Sequence, residues 1–255
     1  IFTLELGISG AAIASSLAEM GSLIVLCIYT KAKIDKDKYG LKPVYDGRLL
    51  IKVLNLSVWS MLHAFISVAP WFLFFVAIEH LGKTELAISN ITRSVSAIFF
   101  VIANSFAVTT GSLVSNVIGA GARNELFPIC HKVLKLGYAV GIPFVVVALL
   151  CNRWIVSFYT DNELLIELAF APFVVMILNY TFALPGYVYL NAVGGTGKNK
   201  ITFLFQVTTT CVYLVYLYWL SFCIKASLSL YLTAEYLFVI LLALQSIIYL
   251  KSKHY

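Results

Sequence analysis

The chain has 255 residues, of which 61% are hydrophobic and only 12% are charged, and its mean hydropathy is +0.92. This composition excludes an ordinary soluble domain, in which about a quarter of the residues are charged. The formal net charge of +6 does not indicate a nucleic-acid partner, because the basic residues stand at the ends of apolar runs. They are not interleaved with exposed aromatic residues, as a nucleic-acid surface would require.

Seven long apolar runs follow one another along the chain. A hydrocarbon core of about 30 Å needs about 20 apolar residues in a helix. Helices are expected because the backbone must be paired inside the membrane, and the short alternating segments of barrel strands are absent from the sequence. We predict an all-α polytopic bundle with spans at about residues 8–30, 50–78, 85–118, 134–158, 166–193, 201–223 and 229–250.

The lysine and arginine residues favour alternate loops. If the loop after the first span is cytoplasmic, 14 of the 18 basic residues lie on the cytoplasmic side or at its edge. Membrane proteins keep such an excess on the cytoplasmic side. The pattern therefore predicts a multi-pass protein of the plasma (inner) membrane with a cytoplasmic C-terminus, and the lipid bilayer as a partner.

The sequence carries no motif of a common catalytic or metal site. It has no P-loop, no H-E-x-x-H and no G-x-S-x-G, and its five cysteines are scattered without a C-x-x-C pair. Phosphate-binding loops, metalloproteases, hydrolases and zinc or redox sites require those spacings. We therefore expect no enzyme activity, no metal and no cofactor.

Four stretches, taken in order along the chain, carry a resemblance to a known family. They are ELGISGAAIA at 5–14, IEHLGKTELAISNITRS at 78–94, LVSNVIGAGARNE at 113–125 and GTGKN at 195–199. Together with the span count between them, they resemble the multidrug and toxic compound extrusion (MATE) family of cation-coupled efflux transporters. Members of that family have twelve spans in two six-helix bundles, which alternate between inward-facing and outward-facing V shapes.

The resemblance implies a division of the chain. Residues 1–30 would be the sixth span, the last of an N-terminal bundle, residues 31–49 an irregular cytoplasmic linker, and residues 50–255 the C-terminal six-helix bundle. The chain opens on Ile1 without an initiating Met and begins a span almost at once. We therefore expect a longer protein, with an N-terminal bundle as the partner of this part.

Polar residues inside apolar spans are candidates for the substrate or ion pathway, because they are costly in a membrane and usually face the bundle interior. The candidates are Glu19, His63, Asn90, Arg93, Asn179 and Tyr187. Glu19, near the middle of its span, is the best protonation candidate. For each residue a structural role stays open: a paired Glu, a satisfied His, an ion-paired Arg, a packing Tyr.

Arg93 lies so deep in its span that it needs a carboxylate partner. The nearest carboxylates in sequence are Glu79 and Glu85, which we expect to form an ion pair or an extracellular gate with it. Glu235, near the outer end of the last span, is expected to reach water.

Glycines and prolines mark possible helix ends and bends. Gly119, Gly121, Gly195 and Gly197 are candidates for hinges or caps, and Pro172 and Pro185 are candidates for two bends in one helix. Gly137 and Gly141 have the four-residue spacing that lets two membrane helices approach closely.

The preferred function is secondary active export of organic, mainly cationic, compounds in exchange for Na⁺ or H⁺. Some family members hold cations with acidic residues deep in the spans that match 50–78 and 166–193, and this chain has none there. Coupling would then depend on the N-terminal bundle. The first alternative is a flippase of lipid-linked oligosaccharides with a related fold. A seven-helix receptor and a structural membrane subunit are remote alternatives.

Overall fold

The computed structural model describes residues 7–33, 45–224 and 226–252. Within these ranges the chain is helical and contains no β-strand, which confirms the all-α prediction. Contacts divide the chain into two compact units, Ile1–Ile51 and Lys52–Tyr255, and each unit is described by itself.

Nine α-helices lie in the described ranges. They are α1 (Gly7–Lys33), α2 (Gly47–Ile78), α3 (Lys83–Gly119), α4 (Leu126–Leu150), α5 (Asn152–Ser157), α6 (Glu163–Leu178), α7 (Tyr180–Gly195), α8 (Asn199–Trp219) and α9 (Leu228–Lys251). Seven segments of the described chain are long and apolar enough to cross a membrane: Ala12–Lys33, Gly47–Leu81, Lys83–Gly119, Arg123–Leu150, Glu163–Gly195, Asn199–Phe222 and Leu228–Lys251. The chain is therefore a multi-pass membrane protein.

The fourth span differs most from its predicted bounds of 134–158. It comprises Arg123–Leu150. The basic residues Lys132 and Lys135 were expected to precede the span, but they lie within α4 with their side chains exposed. Its end is fixed by Asn152, whose amide nitrogen donates to the carbonyl oxygen of Leu149 at 2.7 Å. The residues after Cys151 then form the separate short helix α5.

Both ends of the predicted linker, residues 31–49, are helical. Helix α1 runs on to Lys33, where basic side chains stabilise a helix C-terminus. Helix α2 begins at Gly47 because the Asp46 carboxylate accepts hydrogen bonds from the backbone N–H groups of Arg48 at 2.9 Å and Leu49 at 3.1 Å. Residues 34–44 of the predicted linker lie outside the described residues.

The fifth span is broken in the middle. Helices α6 and α7 meet at Asn179, which is the one residue between them. The two prolines that were expected to bend this span, Pro172 and Pro185, lie inside α6 and α7. The break therefore falls between the prolines.

Two tyrosines join α4 to α7. The Tyr138 hydroxyl donates to the Thr181 carbonyl oxygen at 2.7 Å, and the Tyr180 hydroxyl donates to the Gly137 carbonyl oxygen at 2.7 Å. Pro185 has no N–H, so the Thr181 carbonyl four residues earlier lacks its partner within the helix. Tyr138 supplies the missing donor from the neighbouring helix.

Small residues let α7 pack at the centre of the second unit, between α3, α4 and α9. A Cβ atom at Gly195 would lie 2.5 Å from the Gly111 carbonyl oxygen of α3, and one at Gly186 would lie 2.7 Å from the Val239 carbonyl oxygen of α9. Gly137 faces the side chain of Leu184. The close approach of α4 predicted from the glycine spacing is thereby confirmed.

Two glycines with positive φ close the helices at one end of the bundle. Gly121 has φ +77° after the end of α3, and the Ala122 N–H donates to the Val117 carbonyl at 3.0 Å. Gly197 has φ +79° after α7, and its N–H donates to the Gly194 carbonyl at 2.9 Å. Both glycines therefore have the geometry of helix caps, whereas Gly195 is a helix–helix contact.

Candidate functional site

A buried ion pair joins the third helix to the last. The Nη2 atom of Arg93 on α3 lies 2.5 Å from Oε1 of Glu235 on α9. The Arg93 side chain is 2% exposed and the Glu235 side chain 14% exposed. The Tyr213 hydroxyl on α8 donates to the same carboxylate oxygen at 3.3 Å. One oxygen atom thus connects three helices.

The partner of Arg93 corrects two sequence-based expectations. The carboxylates nearest in sequence do not make the pair: Glu79 is exposed in a 3₁₀ turn, and Glu85 lies half-buried in the first turn of α3. Glu235, expected to reach water, makes it across 142 residues of sequence. Three spans lie between α3 and α9, so both helices begin on the same side of the membrane and run in the same direction. Residues near the start of each helix therefore lie at similar depths.

Aromatic rings of α2 cover the guanidinium group of Arg93. Its Cζ lies 4.1 Å from the ring centroid of Phe74, 5.1 Å from that of Trp71 and 5.3 Å from that of Phe75. Such cation–π contacts partly replace lost hydration. The Nε and Nη1 atoms are buried without a hydrogen-bond partner among the described residues, so Glu235 is the main compensation for the charge.

Beside this ion pair lies a cavity of about 340 Å³ within the second unit. Side chains from α2, α3, α7 and α9 and the residues around the break at Asn179 line it. Its aromatic walls are Trp71, Phe99, Phe100, Tyr180, Tyr187 and Phe238. Its polar side chains include Ser67, Arg93, Ser96, Asn179 and Glu235. Apolar walls with a few polar groups are typical of small-molecule sites.

The cavity brings together three of the six candidate pathway residues. They are Arg93, Asn179 and Tyr187. Asn179 is 8% exposed, and its Oδ1 atom has no hydrogen-bond partner within the described part of the chain. The Tyr187 ring packs edge-on against Phe100, with ring centroids 5.7 Å apart.

The other three candidates lie elsewhere. His63 is half-buried on α2, with its Nε2 atom unpartnered in the described ranges, and it is not among the cavity-lining residues. Asn90 is exposed, and its backbone carbonyl accepts the Ser94 hydroxyl at 2.8 Å. Glu19 is exposed on α1 in the first unit. Its role stays a prediction.

Sequence reasoning missed Glu235, Trp71 and Tyr180 as parts of this site. The depth of Glu235 in its span could have identified it as the partner of Arg93. At 1.5 Å per residue, Arg93 lies about 15 Å from the start of α3, and Glu235 lies about 10 Å from the start of α9. A carboxylate at a matching depth on a helix of the same direction was the natural partner. Trp71 and Tyr180 gave no such signal, because aromatic residues are frequent throughout these spans.

A larger groove, of about 580 Å³, runs between α2 and α8. Apart from His80, Tyr218 and Ser221, its lining is aliphatic or phenylalanine side chains. It contains neither the ion pair nor Asn179. We regard it as a lipid-facing surface and the smaller, polar cavity as the candidate site.

Solved structures of MATE transporters have the same fold. A MATE crystal structure in complex with MaL6 matches with a TM-score of 0.82 and 17% identity, over 99% of this chain and 58% of that one. An outward-facing multidrug resistance MATE family transporter matches with a TM-score of 0.70 and 17% identity, over 79% and 45%. An inward-facing one matches with a TM-score of 0.64 and 17% identity, over 71% and 41%. The chain thus spans about half the length of these proteins.

Sequence comparison identifies the family. No curated protein matches the chain. A profile of the MatE family, however, matches residues 60–220. This range is more than half of the chain, and it contains α3, the whole broken span and most of the cavity lining. The members of this family are transporters and not enzymes. The chain therefore belongs to the MatE family.

Proposed function

We propose that the complete protein is a secondary active transporter that exports organic, mainly cationic, compounds in exchange for Na⁺ or H⁺. The observation that carries this proposal is the aromatic cavity of about 340 Å³ inside the helix bundle, beside the buried pair of Arg93 and Glu235. Membership of the MatE family supports transport. Relatives in both inward-facing and outward-facing conformations support alternating access.

The arrangement in the membrane is part of the same proposal. The second unit would be the C-terminal bundle, and the remainder of the protein would supply an N-terminal bundle. The excess of basic residues on alternate loops supports a cytoplasmic C-terminus in a plasma (inner) membrane. The cargo would then bind in the cavity of the C-terminal bundle.

The coupling site is expected outside the described cavity. Glu235 is the one carboxylate that lines it, and Arg93 already compensates its charge. Glu19 on α1 stays a candidate for protonation, and the proposed N-terminal bundle is the expected place for the principal coupling residue. Na⁺ and H⁺ are both compatible with this arrangement.

The flippase alternative has less support. A pyrophosphate-linked oligosaccharide needs a wide basic cavity, whereas the described cavity is small and aromatic. Arg93 is covered by three rings and paired with a carboxylate. Its side chain is 2% exposed and its charge is already compensated, so it offers little to a pyrophosphate group.

Dye accumulation in cells tests the proposal. Cells that express the full-length protein are expected to accumulate less ethidium than cells that do not. Ala97 lines the cavity on an exposed side of α3, so Ala97→Phe fills the path, whereas Ile98→Phe changes the neighbouring residue, which does not line it. We expect efflux to fail in Ala97→Phe and to persist in Ile98→Phe.

Ionophores separate the two coupling ions in the same assay. Loss of efflux on collapse of the sodium gradient alone indicates Na⁺, and loss on collapse of the proton gradient alone indicates H⁺. Absence of efflux for every cationic dye would contradict the proposal. Equal efflux by wild type and Ala97→Phe would show that this cavity is not on the path.

A further inference from the structure

We propose that the groove between α2 and α8 binds one acyl chain of a zwitterionic glycerophospholipid, whose phosphate lies at His80. The lipid comes from the leaflet in which both helices end, which is the outer leaflet in the proposed orientation. The groove shares no lining residue with the polar cavity. It is therefore a second site, for a lipid, on the membrane-facing side of the bundle.

The two walls of the groove are joined near the start of α8. There the Asn199 amide nitrogen donates to the Ser60 hydroxyl oxygen at 2.7 Å, and the rings of Trp59 and Phe203 pack with centroids 5.6 Å apart. Three spans lie between α2 and α8, so the two helices run in the same direction. The groove lies further along both, toward their ends. The pair of helices is thus closed near the start of α8 and open near its end.

Each wall is held in place by contacts to another helix. On the α2 wall the ring centroid of Phe74 lies 4.1 Å from Cζ of Arg93 on α3. On the α8 wall the Tyr216 hydroxyl and the Thr233 hydroxyl of α9 share a hydrogen bond of 3.0 Å. The groove is therefore preformed, and an occupant does not have to separate the helices.

A π-helical turn, Leu220–Ile224, forms the open end of the α8 wall. Such turns are rare and are frequent at functional sites. The Ser221 hydroxyl in this turn donates to the Leu217 carbonyl oxygen at 2.9 Å and accepts the Tyr231 hydroxyl at 2.9 Å. These bonds fix the turn, so that Ser221 and Phe222 stand in the groove wall.

The length and the lining of the groove fit an acyl chain. Residues 73–80 of α2 and 214–222 of α8 extend about 10–12 Å along their helices at about 1.5 Å per residue. One leaflet has about 15 Å of hydrocarbon. Leu73, Ala77, Leu214 and Leu217 line the part that lies deeper in the membrane, and the volume is about 580 Å³. A hydrocarbon chain that lies along the helices therefore fits this space.

The polar end of the groove fits a headgroup. Packing of the chain alone selects no lipid, because the surrounding bilayer is as apolar as the groove. His80 lies at the open end, exposed, in the 3₁₀ turn Glu79–Leu81, and Lys83 is exposed three residues later. Imidazole and ammonium N–H groups donate to phosphate oxygens. Glu79, exposed in the same turn, suits the ammonium group of a zwitterionic headgroup.

Aromatic residues place this end of the groove at the membrane surface. Tyr218 and Phe222 line it, with ring centroids 4.5 Å apart, and Trp219 is exposed beside them. Tyrosine and tryptophan are enriched at the level of the lipid headgroups. The polar end therefore lies where the phosphate of a bilayer lipid lies.

Native mass spectrometry of the purified full-length protein provides the test. The protein in detergent is titrated with dioleoylphosphatidylethanolamine and with dioleoylglycerol, which has the same two chains and no phosphate or amine. We expect wild type to bind the first phospholipid molecule at least about fivefold more tightly than dioleoylglycerol, because a phosphate accepts charge-assisted hydrogen bonds.

Two substitutions of His80 test the phosphate contact. His80→Leu removes the N–H donor, and we expect it to lower the preference for the phospholipid at least about threefold. His80→Gln keeps an N–H donor and is expected to keep most of the preference. Because His80 is exposed, both variants are expected to fold.

A matched pair of alanine substitutions tests the groove itself. Ala77→Phe fills the groove, whereas Ala64→Phe places the same side chain at an exposed position of α2 that does not line it. We expect Ala77→Phe to bind the phospholipid at least about fivefold more weakly than wild type does, and Ala64→Phe to bind it unchanged.

Three results would overturn the proposal. They are equal binding of the two lipids by wild type, an unchanged preference in His80→Leu, and undiminished phospholipid binding by an Ala77→Phe variant with a normal unfolding temperature. The measurement needs no cargo and no ion gradient. Its failure would therefore leave the proposed transport function intact.

Discussion

Tyr138 and Tyr180 each donate a hydrogen bond to the backbone of the helix that carries the other. The acceptors are the carbonyl oxygens of Thr181 and Gly137, and both distances are 2.7 Å. Tyr180 is also part of the cavity wall. The two hydroxyls thus hold α4 against α7 and fix one side of the candidate site.

Loss of the Tyr138 hydroxyl should be costly because of Pro185. In Tyr138→Phe the Thr181 carbonyl has neither its helical partner nor the phenol, and an unpaired carbonyl at this part-buried contact costs up to about 1–3 kcal/mol. For a unit of this size we expect the midpoint of thermal unfolding in detergent to fall by about 2–4 °C per kcal/mol. Pro185→Ala restores an N–H at the right position, so Tyr138→Phe should cost much less in that background. Equal losses in both backgrounds would refute this role of Tyr138.

Two glycines of the sequence motifs should respond differently to alanine. A methyl group at Gly195 meets the Gly111 carbonyl oxygen at 2.5 Å, whereas one at Gly119 meets nothing within 4 Å. Gly195→Ala must push α7 away from α3, and we expect a loss of about 1–3 kcal/mol. Gly119→Ala should leave the unfolding midpoint unchanged or raise it slightly, because alanine is the better helix residue. A harmless Gly195→Ala would show that the two helices are not in close contact.

Much of the fold could be predicted from the sequence, because lipid imposes strict demands on length and polarity. The seven spans and the close packing at Gly137 follow from apolar length and from small-residue spacing. The bounds of the fourth span could not be predicted in this way, because a helix can include exposed basic residues and their position does not mark where it begins. The break at Asn179 was not predicted either, because the bends were expected at Pro172 and Pro185, which are the usual helix-bending residues.

The site was predicted only in part, because the local sequence does not show which side chains from distant helices come into contact. Arg93, Asn179 and Tyr187 were candidates on the ground that polar groups are rare in spans, and they do line one cavity. The partner of Arg93 depended on which helices become neighbours. Glu235 is 142 residues away, and proximity in sequence favoured the wrong carboxylates.

The buried pair should show strong thermodynamic coupling. Glu235→Leu alone leaves the Arg93 guanidinium uncompensated, which we expect to cost about 3–5 kcal/mol of stability. Addition of Arg93→Met should recover most of this loss, because an apolar pair of similar volume needs no compensation. The exposed pair of Arg153 and Glu163 should contribute less than about 1 kcal/mol. Thermal unfolding of wild type, Glu235→Leu, Arg93→Met and the double variant in one detergent gives the coupling energy. Additive effects at Arg93 and Glu235 would contradict the pairing.

Protection of a cavity cysteine by cargo tests most directly whether this cavity is a binding site. In a background without the five native cysteines, Ala97→Cys places a thiol in the cavity, and Ile98→Cys places one beside it on the exposed face of α3. We predict that N,N-dimethyl-1-naphthylmethylamine slows alkylation at position 97 at least about fivefold and leaves position 98 unchanged, because a bound ligand occupies most of the cavity. Equal alkylation rates at position 97 with and without saturating amine would contradict a cargo site in this cavity.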